Sequence, residues 1–128
     1  MAFKALLEVG GKTLNILYTS YDLHQDVDQT GRPSSITRGG RINLVVESTG
    51  DSFFFEWMTN NFERKDGSIR FIKRDTDATL KTLGFKEGYL VKYKENFDAK
   101  GNNPLVESFT ISAKEIAMGG GEHVNMWV

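Results

Sequence analysis

Alternation of apolar and polar side chains at every second position dominates this chain, and that period belongs to strands with one buried face. AFKALLEV and LNILYTSY, separated by GGKT, read as two strands joined by a tight turn whose glycine pair supplies positive φ. INLVVES repeats the pattern, with Ile42, Leu44 and Val46 on one face and Asn43 and Glu47 on the other. SIRFIKRD is extended as well, and between Leu80 and Asp98 two strands are expected around a turn at KEG. Leu83 and Phe85 precede that turn, and Tyr89, Val91 and Tyr93 alternate with Leu90, Lys92 and Lys94 after it. AKGNNP is a loop by composition. Glu107, Phe109, Ile111 and Ala113 then alternate with Ser108, Thr110 and Ser112 in a final strand that runs, bent, through Ile116 and Met118.

One segment breaks this period. In STGDSFFFEWMTNNF, Asp51 or Ser52 is placed to cap a helix, with Glu56 about one turn further on. Phe53, Phe54, Trp57 and Met58 fall on neighbouring faces at helical spacing. The expectation is one helix, Asp51 to Phe62, whose aromatic face packs on the core and which Asn60, Asn61 and the later KDG stop. Roughly six to nine strands with a single helix argue for a sandwich or barrel rather than a parallel α/β sheet. The fold class is therefore mainly β, a β-barrel of two packed antiparallel sheets with one flanking α-helix and a long projecting loop. A chain of 128 residues suits one domain, 1–128.

That loop is DQTGRPSSITRGGR, Asp28–Arg41, fourteen residues between strands that about two to five would join. Ile36 is its sole large apolar side chain, while Gly31, Gly39 and Gly40 allow bends and Pro33 stiffens the tip. Arg32, Arg38 and Arg41 offer planar donors for carboxylates or carbonyls. Fully extended, such a link spans about 45 Å at roughly 3.3 Å per residue. It is long enough to reach a neighbouring molecule.

Composition narrows the chemistry. Sixteen basic and seventeen acidic residues leave a formal charge of −1, so no global field attracts nucleic acid or anionic lipid. The absence of cysteine removes disulfides and thiolate chemistry. The N-terminus shows no basic region followed by a sustained apolar run, so no cleavable signal peptide is expected, and no window approaches a membrane span. GGKT is not a phosphate loop, because Leu6 stands where its first glycine belongs. DVDQTG imitates the start of a calcium loop, but Thr37 replaces the bidentate Glu such a loop ends on. ITRGGR occurs once, whereas RGG boxes that contact RNA come in repeats. His24 and His123 form no ligand motif, and no Gly-x-Ser-x-Gly elbow is present. No enzyme activity, cofactor, metal, nucleic-acid partner or membrane insertion is expected.

Taken in order, VDQTGRPSSITRGGRINLVVESTGD, FFEWMTNNF, IKRDTDATLKTLGFKEGYLVKYKENFD, GNNPLVESFTISAKEI and GEHVNMWV resemble the tube protein of type VI secretion systems, the haemolysin-coregulated protein (Hcp, also TssD). The likeness runs from about Phe3 to Val128 and is greatest to a divergent branch in which RPSS, RDTDATL and FTISA-type blocks recur. The resemblance implies a barrel whose homohexameric rings stack into a tube that a contractile sheath expels, with effectors in the lumen or at the tip. Its implied partners are further copies of itself, sheath, baseplate and spike proteins, and effectors. It implies assembly in the cytoplasm followed by export without a signal peptide, and no fused toxin is expected after Val128. Arg32, Pro33, Ser34, Arg38 and Arg41 are the expected ring or stacking contacts. Thr59, Asn60, Asn61, Glu63 and Arg64, which flank the helix's aromatic face, are the expected lumen-facing group. The competing reading is a stand-alone barrel that binds a small ligand or carbohydrate through its aromatic residues.

Overall fold

The computed structural model describes residues 3–102 and 104–125. Ala2, expected in the first strand, and Asn103, expected in the AKGNNP loop, lie outside them. Seven strands and one helix follow in the order β1 (Phe3–Val9), β2 (Lys12–His24), β3 (Arg38–Glu47), α1 (Phe53–Thr59), β4 (Arg64–Lys73), β5 (Thr79–Phe97), β6 (Leu105–Met118) and β7 (Gly121–Val124). All pairings are antiparallel. Val9 pairs with Lys12 across the glycine turn, where Gly10 and Gly11 take φ of 59° and 79°. Positive φ at both central positions matches the right-handed twist of the flanking strands.

The hydrogen bonding forms a ring. The sheet order is β3-β2-β1-β4-β5-β6-β7, and a further β3–β6 pairing closes it. β6 makes closure possible because it is long enough to divide one edge between two partners. Val106–Ser112 pair with β3, and Glu115–Met118 pair with β7. At the seam, the Asn125 side-chain amide donates to the carbonyls of Gly39 (3.1 Å) and Ala113 (3.0 Å). Gly40 sits there at φ 100°, and an added Cβ would lie 2.7 Å from the Ala113 carbonyl oxygen.

Inward side chains fill the barrel, among them Leu7, Leu14, Ile42, Leu44, Ile69, Phe85 and Ile111. α1 covers one end. Phe54 stacks on Phe109 with ring centroids 4.3 Å apart, and the buried Trp57 donates from Nε1 to the Glu63 carbonyl at 3.0 Å. The aromatic face thus packs on the core as expected, but the helix is shorter than Asp51 to Phe62. Asp51 and Ser52 precede it, and Asn60 leaves helical geometry at ψ 95°. Met58 is also exposed rather than packed.

KEG does not turn. β5 runs unbroken from Thr79 to Phe97, and the extra residue at Lys86-Glu87 forms a bulge against β4, with Glu87 at φ 52° and its N–H donating to Asp66 Oδ1 at 2.8 Å. A second irregularity lies between Leu90 and Lys92. Each extra residue exchanges the two faces of the strand. The inward positions are accordingly Leu83 and Phe85, then Gly88 and Leu90, then Tyr93, and Val91 is exposed. β7 has no counterpart among the expected strands.

Candidate functional site

The long link is ordered by hydrogen bonds within itself, from both backbone and side chains. β2 continues to His24, so the irregular segment is Gln25–Thr37, and Arg38 and Arg41 stand in β3 instead of at the tip. The segment folds into an arm of two legs bridged at Val27 and Pro33. Asp28 turns the tip. Its Oδ1 accepts from the Thr30 hydroxyl (2.6 Å), the Thr30 N–H (2.9 Å) and the Arg32 N–H (3.1 Å), and its carbonyl accepts from Gly31 N–H at 3.0 Å. The Thr30 hydroxyl first, then the amides of Arg32 and Thr30, hold the Asp28 carboxyl below its usual range. Gly31, at φ 88°, supplies the left-handed residue the turn needs. Lower down, Ser34 N–H donates to Asp26 O (2.7 Å), and Asp26 N–H donates to Ser35 Oγ (2.8 Å).

Of the expected contact residues, Arg38 is held within the chain by Asp26, Nε to Oδ2 at 3.0 Å. The guanidinium groups of Arg32 and Arg41 have no ion-pair partner among the described residues. Pro33 and Ser34 lie exposed on the returning leg, beside an exposed Val27 and an exposed Ile36.

The expected lumen group gathers where α1 ends. Thr59 Oγ1 donates back to its own helix, to the Phe55 and Glu56 carbonyls at 3.1 and 3.2 Å. Asn60 Nδ2 donates to Glu63 Oε1 at 2.6 Å, and Glu63 Oε2 pairs with Lys65 at 2.9 Å. Lys65 first, with Asn60 adding less, lowers the Glu63 pKa. Asn61 is exposed, and Arg64 turns to Glu87 on β5 at 2.6 Å. Thr59, Asn60 and Glu63 line an open cleft of about 600 Å³ together with Asp51, Glu56 and Trp57. Lys12 pairs with Asp51 at its edge, and Lys65 lies 5.1 Å from the Phe53 ring centroid and 5.8 Å from that of Trp57.

Two features escaped the sequence reading. Phe62, just past the helix, is 85% exposed at φ 65°; an aromatic directly after an Asn-Asn helix stop was the available signal. Glu107 is buried to 1% exposure, with Oε2 accepting from Tyr93 OH at 3.1 Å and Oε1 accepting nothing. Its place in the alternation with Phe109 and Ile111 already put a carboxylate on the inward face. Burial first, then the Glu107 charge, pushes the Tyr93 phenol up.

Among the described residues no group of three or more His, Cys, Asp or Glu is placed to hold a metal. Phe54, Trp57 and Phe109 pack on one another in the core. The described helix is too short to cross a membrane.

No curated protein matches the chain. Hcp1 from Flavobacterium johnsoniae is 62% identical, with a TM-score of 0.90 over 95% of this chain and 99% of that one. Hcp1 from Salmonella typhimurium has the same fold at 12% identity, TM-score 0.75, covering 96% of this chain and 92% of its own. A chain of the sheath-tube complex of an extracellular contractile injection system, PVC, shares the fold at 22% identity, TM-score 0.55, covering 90% and 87%. A family model described as haemolysin coregulated protein Hcp (TssD) matches residues 1–128. With that match over its whole length and the closed barrel, the chain belongs to the Hcp/TssD family, the structural tube proteins of type VI secretion systems.

Proposed function

We propose that six copies of this chain close into a ring, that the rings stack into a tube within a contractile sheath, and that effectors travel in the lumen or at the tip. The observation that carries this reading is the match of the whole chain to the Hcp/TssD family, on a closed barrel whose interior is filled. A ring needs a head-to-tail surface that closes by rotation, and a tube needs another that does not close. A formal charge of −1 favours dense self-association, because strongly charged copies would repel. Export then follows contraction of the sheath and needs no signal peptide.

Arg32, Pro33, Ser34, Arg38 and Arg41 belong to the ring or stacking contacts on this reading, with Arg38 acting through the Asp26 pair that stiffens the arm. Thr59, Asn60, Asn61, Glu63 and Arg64 edge the lumen where successive rings meet. Native mass spectrometry of the purified protein, supported by negative-stain images, tests the ring. A six-membered species is the expected result, and a monomer at all concentrations overturns it. Charge reversal at Glu63 that leaves effector co-purification unchanged removes these residues from the lumen edge.

A further inference from the structure

One outer face of the barrel is polar and open to solvent. Register sets its residues in rows across β5, β6, β3 and β2: Lys92, Thr110, Asn43 and Ser20 form one row, and Lys94, Ser108, Val45 and Tyr18 the next. Successive residues of a strand point to opposite sides, so these rows face outward while Leu44, Phe109 and Ile111 are buried. Arg41, opposite Ser112, extends the outward set on β3.

The neutral groups of this face bond to one another, and its cations bond to nothing. Thr110 Oγ1 donates to Asn43 Oδ1 at 2.8 Å, and Asn43 Nδ2 donates to Ser20 Oγ at 3.4 Å. Lys92, Lys94 and Arg41 are exposed and have no ion-pair partner among the described residues. Elsewhere on the wall Arg64 and Lys114 share Glu87, and Arg70 pairs with Glu8. The carboxylates nearest the open face are engaged. Glu47, at its rim, accepts from Asn15 Nδ2 at 3.2 Å, Asp22 lies 3.6 Å from His24 Nδ1, and Glu95 acts on Tyr93. A cleft of about 220 Å³ opens between the two rows, where Lys92 and Lys94 meet Asn43, Ser108, Thr110 and Tyr18, and no carboxylate lines it.

We infer that this face takes an extended acidic segment of a partner protein, one with carboxylates at alternate positions. Residues two apart on a strand stand about 6.6–6.8 Å apart, so Lys92 and Lys94 match the repeat of a segment that is itself extended. Thr110 and Ser108 lie directly across from the two lysines. The Thr110 hydroxyl, its proton given to Asn43, is left to accept, and that of Ser108 does either. The lysines supply attraction and the neutral rows supply register. The inference rests on the carrier reading, in which the partner is an effector, and it names the face that meets the cargo and the chemistry the cargo presents.

Two labelled peptides of one composition test it on the purified full chain, one with glutamates alternating with threonines and one with the same glutamates in a block. Fluorescence anisotropy should show the alternating peptide bound several-fold more tightly. Lys92→Glu with Lys94→Glu should lower its affinity by about tenfold or more, since two exposed attractions become repulsions. Tm and ring formation should stay as in wild type, because both side chains are exposed and unpaired. Lys73→Glu with Lys81→Glu makes the same change of net charge on β4 and the start of β5, and should bind as wild type does. Peptides that bind equally, or not at all, overturn this site. Equal loss in the two double variants also overturns it, by showing that net charge alone attracts the peptide. A single-stranded oligonucleotide bound more tightly than either peptide overturns a polypeptide as the occupant. Protein that forms no ring at any concentration overturns the carrier reading, and the effector as partner falls with it.

Discussion

At the scale of single residues, the Tyr93–Glu107 pair sets the most exacting condition on the barrel. A buried carboxylate with one hydrogen bond to Oε2 and none to Oε1 depends on the partner it has. Tyr93→Phe removes that donor and should destabilise the fold by about 1–3 kcal/mol, the cost of leaving a buried polar group unsatisfied. Chemical denaturation of the variant against wild type measures it. The same pair gives an alkaline limb. The folded phenol is held protonated above its usual range by burial and by the Glu107 charge. A group that binds its proton more tightly when folded contributes stability below its unfolded pKa, about 10 for tyrosine, and loses it as pH rises beyond that value. Wild-type stability should therefore fall more steeply than that of Tyr93→Phe above about pH 10. Equal slopes would show that Tyr93 ionises as freely in the folded protein as in the unfolded chain.

At the scale of elements, the same chain was legible where one residue means one step and misleading where it does not. Ile42, Leu44 and Val46 keep strict alternation, and all three are buried as that period requires. β5 does not keep it. Glycine and charge at KEG look like a turn, yet the strand on both sides holds the same neighbours, so Glu87 is accommodated as a bulge whose amide Asp66 satisfies. Gly88 is then needed for closeness, not for a turn. A Cβ there would stand 2.8 Å from Ile111 Cγ2 and 3.3 Å from the Lys65 carbonyl. Gly88→Ala should cost about 1–3 kcal/mol by overpacking, readable as a lowered denaturation midpoint. The arm was visible as an oversized link, but its order was not, because it comes from Asp28 accepting three hydrogen bonds across four residues. Asp28→Ala should speed amide exchange at Thr30 and Arg32 while leaving exchange in β2 and β3 unchanged. The helix end was the least legible part, since Phe62 is anomalous through its backbone conformation and exposure, neither of which a pattern of residue types records.

At the scale of the whole molecule, closure of the sheet decides what is left to bind. β3–β6 pairing uses the two edges that an open six-strand sheet would expose, so edge-to-edge strand addition is an inefficient route to assembly. Contact then falls to exposed side chains, and on the proposed reading those of the arm are among them: Arg32, which has no acidic partner among the described residues, and the exposed Ile36. Such a contact has two parts with different responses to salt. The Arg32 part is exposed and should weaken as the Debye length shrinks from about 10 Å at 0.1 M to about 3 Å at 1 M. The Ile36 part is apolar and does not share that dependence. Stack length measured by negative stain should accordingly fall between 0.1 and about 1 M sodium chloride and level off above zero. Arg32→Ala should begin at the shorter length and respond little to salt. Stacks that lengthen steadily with salt in both proteins would show that burial of apolar surface alone holds the rings together, and the arm's guanidinium would then have no part in the tube.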